Sequence, residues 1–263
     1  MSSSRTRPDG TVAFRATLGR SVGLFTAFRK EQSDPAHFYG TLARDTVAQL
    51  RSYTPLRGRL VADVGGGPGY FADELRAAGA RCLCVDSDAH EMRLHGRAVD
   101  VHGVQGSALD LPLRSDSVDV CFSSNVLEHV PDRVRMADEM VRVTRPGGLV
   151  YLSYTLWLSP WGGHETSPWH YLGGAYAAER FARRHGRRPK NDFGRTMYAA
   201  YAKEMLRWVR RRTDVDPVDI RPRYLPGWAK PVVRVPLLRE IVTWNLLLVL
   251  RKRGGPTSGS ATS

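Results

Sequence analysis

The segment that most restricts this chain's fold is Val61-Ala62-Asp63-Val64, which runs directly into Gly65-Gly66-Gly67-Pro68-Gly69. The apolar run reads as a buried strand, and a helical pattern starts at Tyr70. Glycines at this junction let the chain turn sharply and let backbone come close to a ligand. A second strand-like run, Arg81–Asp86, ends in an acid about twenty residues further on. An acidic side chain there can accept hydrogen bonds from both hydroxyls of a ribose. Each element alone is weak, but strand, glycine turn, helix, strand and acid in this order specify a nucleotide-binding unit.

The alternation continues downstream. Ala89–Arg97 reads as a helix, Val101–Gly106 as a weak third strand and Val118–Ser123 as a fourth. Asp132–Thr144 follows as a helix and Gly148–Tyr154 as a fifth strand. Strands separated by helices imply a parallel sheet with right-handed crossovers. Upstream, Phe14, Leu18, Val22, Phe25 and Phe28 recur at steps of three and four, giving one apolar helix face within Thr11–Arg29. Ser33-Asp34-Pro35 starts a second helix, which runs to about Leu50.

After Tyr154 the pattern changes. Leu156–Asn191 is rich in Trp, His, Gly and Arg and reads as an insertion holding one helix, Ala175–His185. A long helix over Tyr198–Arg211 and two closing strands, Val218–Tyr224 and Trp244–Lys252, complete the chain. The expected fold is therefore α/β, a doubly wound, mostly parallel seven-stranded sheet with an N-terminal helical lid and a basic insertion after strand five. One domain over residues 10–253 accommodates it: lid 10–55, cofactor core 56–155, insertion 156–197, closing helix and strands 198–253. The Ser-, Gly- and Pro-rich ends, 1–9 and 254–263, are expected to be disordered tails.

Composition narrows the setting. Cys82, Cys84 and Cys121 lie in apolar runs without zinc-ligand spacing or an even disulfide set, which suits a reducing cytoplasm. The longest apolar run, Ile241–Leu250, is broken by Thr243 and Asn245 and is about half the length of a spanning helix. The net charge of +13 is concentrated in residues 176–223, where 14 Arg and Lys face 6 Asp and Glu. Such a field favours an anionic substrate, lipid headgroup or nucleic acid, although a solvated arginine-rich surface gives the same count.

A nicotinamide-binding domain is the obvious competitor, since Gly67-Pro68-Gly69-Tyr70-Phe71-Ala72 meets a loose G-x-G-x-x-A pattern. In the register set by Gly65, however, Tyr70 stands where Gly or Ala is required. Later segments decide the question. Ala108–Leu113, Asp116–Val120, Asn125-Val126-Leu127-Glu128-His129-Val130 and Arg145-Pro146-Gly147-Gly148, with Val61–Phe71 before them, resemble the motifs of class I S-adenosylmethionine-dependent methyltransferases of the ubiquinone-type small-molecule branch. This resemblance covers about residues 56–155. The flanks Glu31–Asp45 and Tyr154–Gly174 resemble actinobacterial methyltransferases of unknown substrate.

The resemblance implies S-adenosylmethionine as cofactor. Asp63 and the backbone of Gly65, Gly66, Gly67 and Gly69 would hold its methionine end, and Asp86 its ribose. The Ser107-Ala108-Leu109 turn would meet the adenine; Ser107 stands where the branch usually has an acid, so contact from the backbone of Ala108 is expected instead. Asn125 would face the methionine moiety or the acceptor.

Methyl transfer needs a placed nucleophile, a dry site and, for alcohols or carbon acids, a base. Two candidates present themselves. His129, beside Glu128, follows strand four and equally suits a structural or cofactor-positioning role; His164, in Trp161-Gly162-Gly163-His164-Glu165, follows strand five. Tyr39, Trp161, Glu165 and His170 are the expected acceptor-side residues, with Trp157 and Trp169 nearby. His164, Glu165 and His170 lack a recognised metal-ligand spacing, so no metal is expected. The expected acceptor is a small or lipid-linked molecule of anionic character, with peripheral contact at the inner membrane face through the arginines of 180–188 and the Phe14–Phe28 helix. An RNA methyltransferase and a non-catalytic cofactor-binding scaffold remain alternatives; no Asn-Pro-Pro-aromatic motif or appended RNA-binding module favours RNA.

Overall fold

A computed structural model describes residues 7, 9–31, 33–89 and 103–254. Seven strands form one sheet: β1 (Leu60–Val64), β2 (Arg81–Asp86), β3 (Gly103–Gln105), β4 (Val118–Ser124), β5 (Thr144–Thr155), β6 (Val215–Pro222) and β7 (Asn245–Lys252). Their order across the sheet is β3-β2-β1-β4-β5-β7-β6. The first five pair in parallel, and β7 runs antiparallel to both β5 and β6. Strand order reverses between β1 and β4, which opens a crevice beyond their carboxyl ends, the usual ligand position in such sheets.

Seven α-helices accompany it among the described residues: α1 (Leu18–Phe28), α2 (Pro35–Leu50), α3 (Tyr70–Ala77), α4 (Arg133–Val143), α5 (Gly174–His185), α6 (Ala202–Arg211) and α7 (Leu238–Val242). Alternating strand residues feed two cores. Val61, Val120, Phe122, Leu149 and Tyr151 pack with α1, α2 and α3; Ala62, Cys121, Val150 and Leu152 pack with α4 and α6. Leu246–Leu250 is wholly buried because β7 sits between two strands and is covered on both faces. No helix is long and apolar enough to cross a membrane among the described residues.

Several boundaries differ from the sequence reading. Thr17 caps α1 by accepting from the Arg20 N–H, so the helix starts at Leu18 and Thr11–Ala16 is not helical. α6 starts at Ala202, four residues late, because the Glu240 carboxylate accepts from the Ala202 and Lys203 N–H groups at 2.7 and 2.8 Å. Arg145–Gly148 is looped out within β5: Val118 pairs with Thr144, but Val120 already pairs with Leu149. Glu128 and His129 occupy a separate single turn, Leu127–His129, ahead of α4. α5 is capped by Gly186, so Arg187 lies beyond it rather than on the face of Arg180, Arg183 and Arg184. The Ala89–Arg97 helix, the first residues of the expected third strand and most of both tails lie outside the described residues.

Candidate active site

The cofactor side rests on local chain geometry. A Cβ on Gly65 would stand 2.4 Å from a methyl of Val126, and one on Gly66 2.4 Å from Cys84 Sγ, so these two glycines are required by packing. A Cβ on Gly67 meets no atom within 4 Å, yet the backbone there has a φ of +47°, which L-residues other than glycine rarely adopt. The loop is thus folded tightly on its inner side and open on its outer side. Asp86 Oδ2 accepts from the Gly67 N–H at 3.0 Å, so the acid ending β2 braces the loop. The Gly106 N–H donates to the Asp86 carbonyl, which brings the Ser107-Ala108-Leu109 turn alongside. Ser107 Oγ accepts from the Leu109 N–H and is spent on its own turn.

Asp63 is 1% exposed, and its Oδ2 has no hydrogen-bond partner. Burial, and then the charge of Asp86, raise its pKa from 3.8 to about 7. A buried, unpartnered carboxylate beside an open glycine loop complements an ammonium group, and the α-amino group of S-adenosylmethionine fits that requirement.

The residues expected on the acceptor side meet side chains from distant segments near the end of β4. Asn125 ends β4 in the left-handed region (φ +57°), which asparagine tolerates better than most residues. Its Nδ2 donates to Tyr224 Oη at 3.3 Å, and its Oδ1 accepts from Asn245 Nδ2 at 2.6 Å. Trp244 precedes β7 and stacks on Trp161 of the insertion, with ring centroids 4.5 Å apart. Phe25 and Phe28 of α1 meet both tryptophans edge-on at 5.4–5.9 Å. α1 is anchored by an Arg20–Asp45 fork to α2 at 2.6–2.7 Å, and Arg20 also donates to the Arg223 carbonyl at the end of β6. Tyr39 stacks on Tyr70, which opens α3, and so stands by the glycine loop.

Beside these rings lie Glu128, His129 and His164. Glu128 is 2% exposed; its Oε1 accepts from the Thr155 N–H at 3.0 Å, tying β4's end to β5's. Burial raises its pKa, against the opposing influence of His129. The His129 and His164 rings are 5.3 Å apart. Burial, then His129, lower the His164 pKa to about 4, so this imidazole is neutral near pH 7. Of the other expected residues, Glu165 accepts from both the backbone and side-chain nitrogens of Asn191, clasping the insertion. His170 is buried against Trp157 and Gly163, with Nε2 at 3.2 Å from the Ser159 carbonyl.

Comparison with known proteins follows the same lines. A family model described as a methyltransferase domain matches residues 62–152. An uncharacterized methyltransferase of Mycobacteroides abscessus is 49% identical over 94% of this chain and 100% of its own. One from Mycolicibacterium vanbaalenii is 52% identical over 90% and 96%. The chain belongs to this methyltransferase family. In fold, the methyltransferase is similar to S-adenosylmethionine-dependent methyltransferases of Mesorhizobium loti (TM-score 0.55, 19% identity, 80% of this chain and 98% of that one) and Aquifex aeolicus (TM-score 0.50, 12% identity, 87% and 98%). It is an S-adenosylmethionine-dependent enzyme.

The methyltransferase also uses residues that sequence reasoning missed. Arg223 is wholly buried and donates to Thr46, Ser124 and Ser153 hydroxyls at 2.5–2.7 Å, locking α2, β4, β5 and β6 together behind Asn125. Its one sequence signal was a basic residue inside an apolar strand pattern. Tyr224, Trp244 and Asn245 carried no signal, because each gains its role only where the last two strands return to the site.

Proposed function

We propose that the acceptor is a small, largely apolar or lipid-linked molecule that enters beneath α1. The observation that carries this reading is the aromatic wall of Phe25, Phe28, Trp161 and Trp244, contributed by the lid, the insertion and the start of β7. Such a wall suits apolar or ring-bearing molecules, held by area and by ring geometry rather than by charge. Asn125, at its base, orients the methionine end or the acceptor. The bound cofactor supplies the electrophilic methyl carbon. The chain shields the reacting atoms with the aromatic lid, and Glu128, His129 and His164 stand where the acceptor's heteroatom is held.

The outer side of the lid supports a lipid-linked source. Leu18 is 61% exposed, and Trp228 and Leu237 are each 77% exposed. Trp228 and Leu237 belong to the segment 227–242, whose Gly227 N–H donates to the Ala16 carbonyl, just ahead of α1, at 2.7 Å. Val22, Leu238 and Ile241 extend this apolar rim, and Lys230 and Arg234 are exposed beside it. Trp169, in the turn before α5, and Tyr176, Arg180, Arg183 and Arg184 of α5 line an open groove of about 420 Å³. Apolar and basic groups together give the two signals that peripheral attachment to an anionic bilayer requires.

The direct test incubates the enzyme with methyl-labelled S-adenosylmethionine and cell extract divided into lipid, small-molecule and RNA fractions. Label is expected in the lipid or small-molecule fraction, and Trp244→Ala should reduce it about tenfold or more while leaving cofactor affinity intact. Label confined to RNA would overturn the reading. Sedimentation with anionic vesicles should be salt-sensitive, and Leu18→Ser with Val22→Ser should abolish it.

A further inference from the structure

Glu128, His129 and His164 each offer one donor atom, and the three atoms lie within 4.8 Å of one another. In two of these residues a buried polar atom, Glu128 Oε2 and His164 Nε2, has no hydrogen-bond partner. The third is fixed by chemistry. His129 Nδ1 lies 2.8 Å from the Thr196 carbonyl, which can only accept, so Nδ1 carries the proton and Nε2 of the neutral ring carries the lone pair. A ring nitrogen held by a backbone carbonyl, leaving the opposite nitrogen's lone pair free, is the outer-shell arrangement that metal-binding histidines use. The other oxygen of Glu128 is likewise held, by the Thr155 N–H.

We propose that Glu128, His129 and His164 form a binding site for one divalent transition-metal ion of the zinc class. Two imidazoles and one carboxylate suit zinc, cobalt or iron better than magnesium or calcium, which favour oxygen donors throughout. Tetrahedral zinc places its donors roughly 3.4 Å apart, given bonds of about 2.1 Å. Three protein donors leave a position open, and Glu128 and His129 stand in the single turn just beyond β4, at the edge of the sheet where the crevice opens.

What the ion does there rests on the acceptor reading above. An acceptor hydroxyl binds at the open position, and coordination acidifies its O–H bond. The proton passes to solvent, the oxygen lone pair forms the new C–O bond, and the C–S bond of the cofactor breaks onto sulfur. The products are a methyl ether and S-adenosylhomocysteine, with no change of redox state.

The test uses the full-length, tag-free protein stripped with chelator. It is titrated with zinc and, separately, with cobalt, reading stoichiometry by elemental analysis and coordination by cobalt absorption. One ion per chain is expected. His129→Ala, His164→Ala and Glu128→Gln should each weaken binding by more than the roughly tenfold that loss of an outer-shell partner alone costs. Unchanged S-adenosylhomocysteine affinity in the histidine variants certifies their fold, and Asp86→Ala should show the converse, keeping the ion while losing the nucleotide. Absence of stoichiometric binding in the wild type, or binding that all three variants retain, overturns the site. Ion binding without methyl transfer to any hydroxyl acceptor would uphold the site and sink the acceptor reading; transfer without ion binding would do the reverse.

Discussion

The cofactor half and the acceptor half of this site are made by different means. The residues expected to face the nucleotide and the amino-acid end fall mostly within 61–109, on β1, β2 and their loops, and they act largely through backbone: a glycine turn, a braced acid, a turn after β3. The acceptor half proposed above draws on α1, the end of β4, the insertion after β5 and the start of β7, through side-chain contacts. A backbone cradle depends on few side chains and so serves one cofactor across many chemistries. A wall of side chains from distant segments can be rebuilt without disturbing the cradle, so acceptor choice belongs there.

Substitutions on either side should therefore separate cleanly. The largest effect is expected at Gly67→Val, which should abolish S-adenosylmethionine binding in calorimetry. Its side chain enters the open outer face of the loop and forces a β-branched residue to a φ of +47°. Retained affinity would mean that the cofactor lies elsewhere. On the other half, His164→Ala should lower turnover by about 10²–10⁴-fold with little change in cofactor affinity. If His129→Ala has that effect and His164→Ala does not, the acceptor contact is centred on the wrong imidazole.

The same contrast explains what could be read before the structure. Local rules exposed β1, the glycine turn and the acid that braces it, because strand, turn and acid follow one another along the chain. Leu246–Leu250 was legible as a strand because burial on both faces leaves a continuous apolar run. The start of α6 was not legible, since its cap is Glu240, more than thirty residues away. Nor was Arg223, whose hydroxyl partners Thr46, Ser124 and Ser153 come from three other elements. Glu165 and His170 were singled out by residue type, and the hydrogen bonds they make in the structure run within the insertion.

A smaller effect on the cofactor side is expected from Asp86→Ala. The acid braces the Gly67 N–H and is placed for the ribose, so its loss should weaken S-adenosylmethionine binding by roughly 1–3 kcal/mol, the range for charge-assisted hydrogen bonds. Turnover at saturating cofactor should stay near wild type. A fall in turnover with unchanged affinity would show that the two halves are not independent.

The smallest effect, and the most discriminating in sign, is expected at Asp63→Asn. In the free enzyme, burial raises this carboxyl from 3.8 to about 7. Between those values the folded protein holds a proton that the unfolded chain has released, so Asp63's contribution to stability declines as pH rises through that window. Above pH 7 the full cost of the buried charge is present. Replacing the acid with its amide removes that cost, so the free variant should melt higher than wild type at pH 8, by about 2–4 °C for each kcal/mol relieved. The difference should shrink as pH falls toward 4. Cofactor binding should show the opposite sign, because the ammonium group of S-adenosylmethionine needs the carboxylate: the variant binds more weakly at pH 8, and wild-type affinity falls as pH drops below 7. Thermal melts and calorimetry at pH 5 and pH 8, with and without S-adenosylhomocysteine, measure both. A variant that melts lower at pH 8 and binds the cofactor normally would remove Asp63 from the ammonium site.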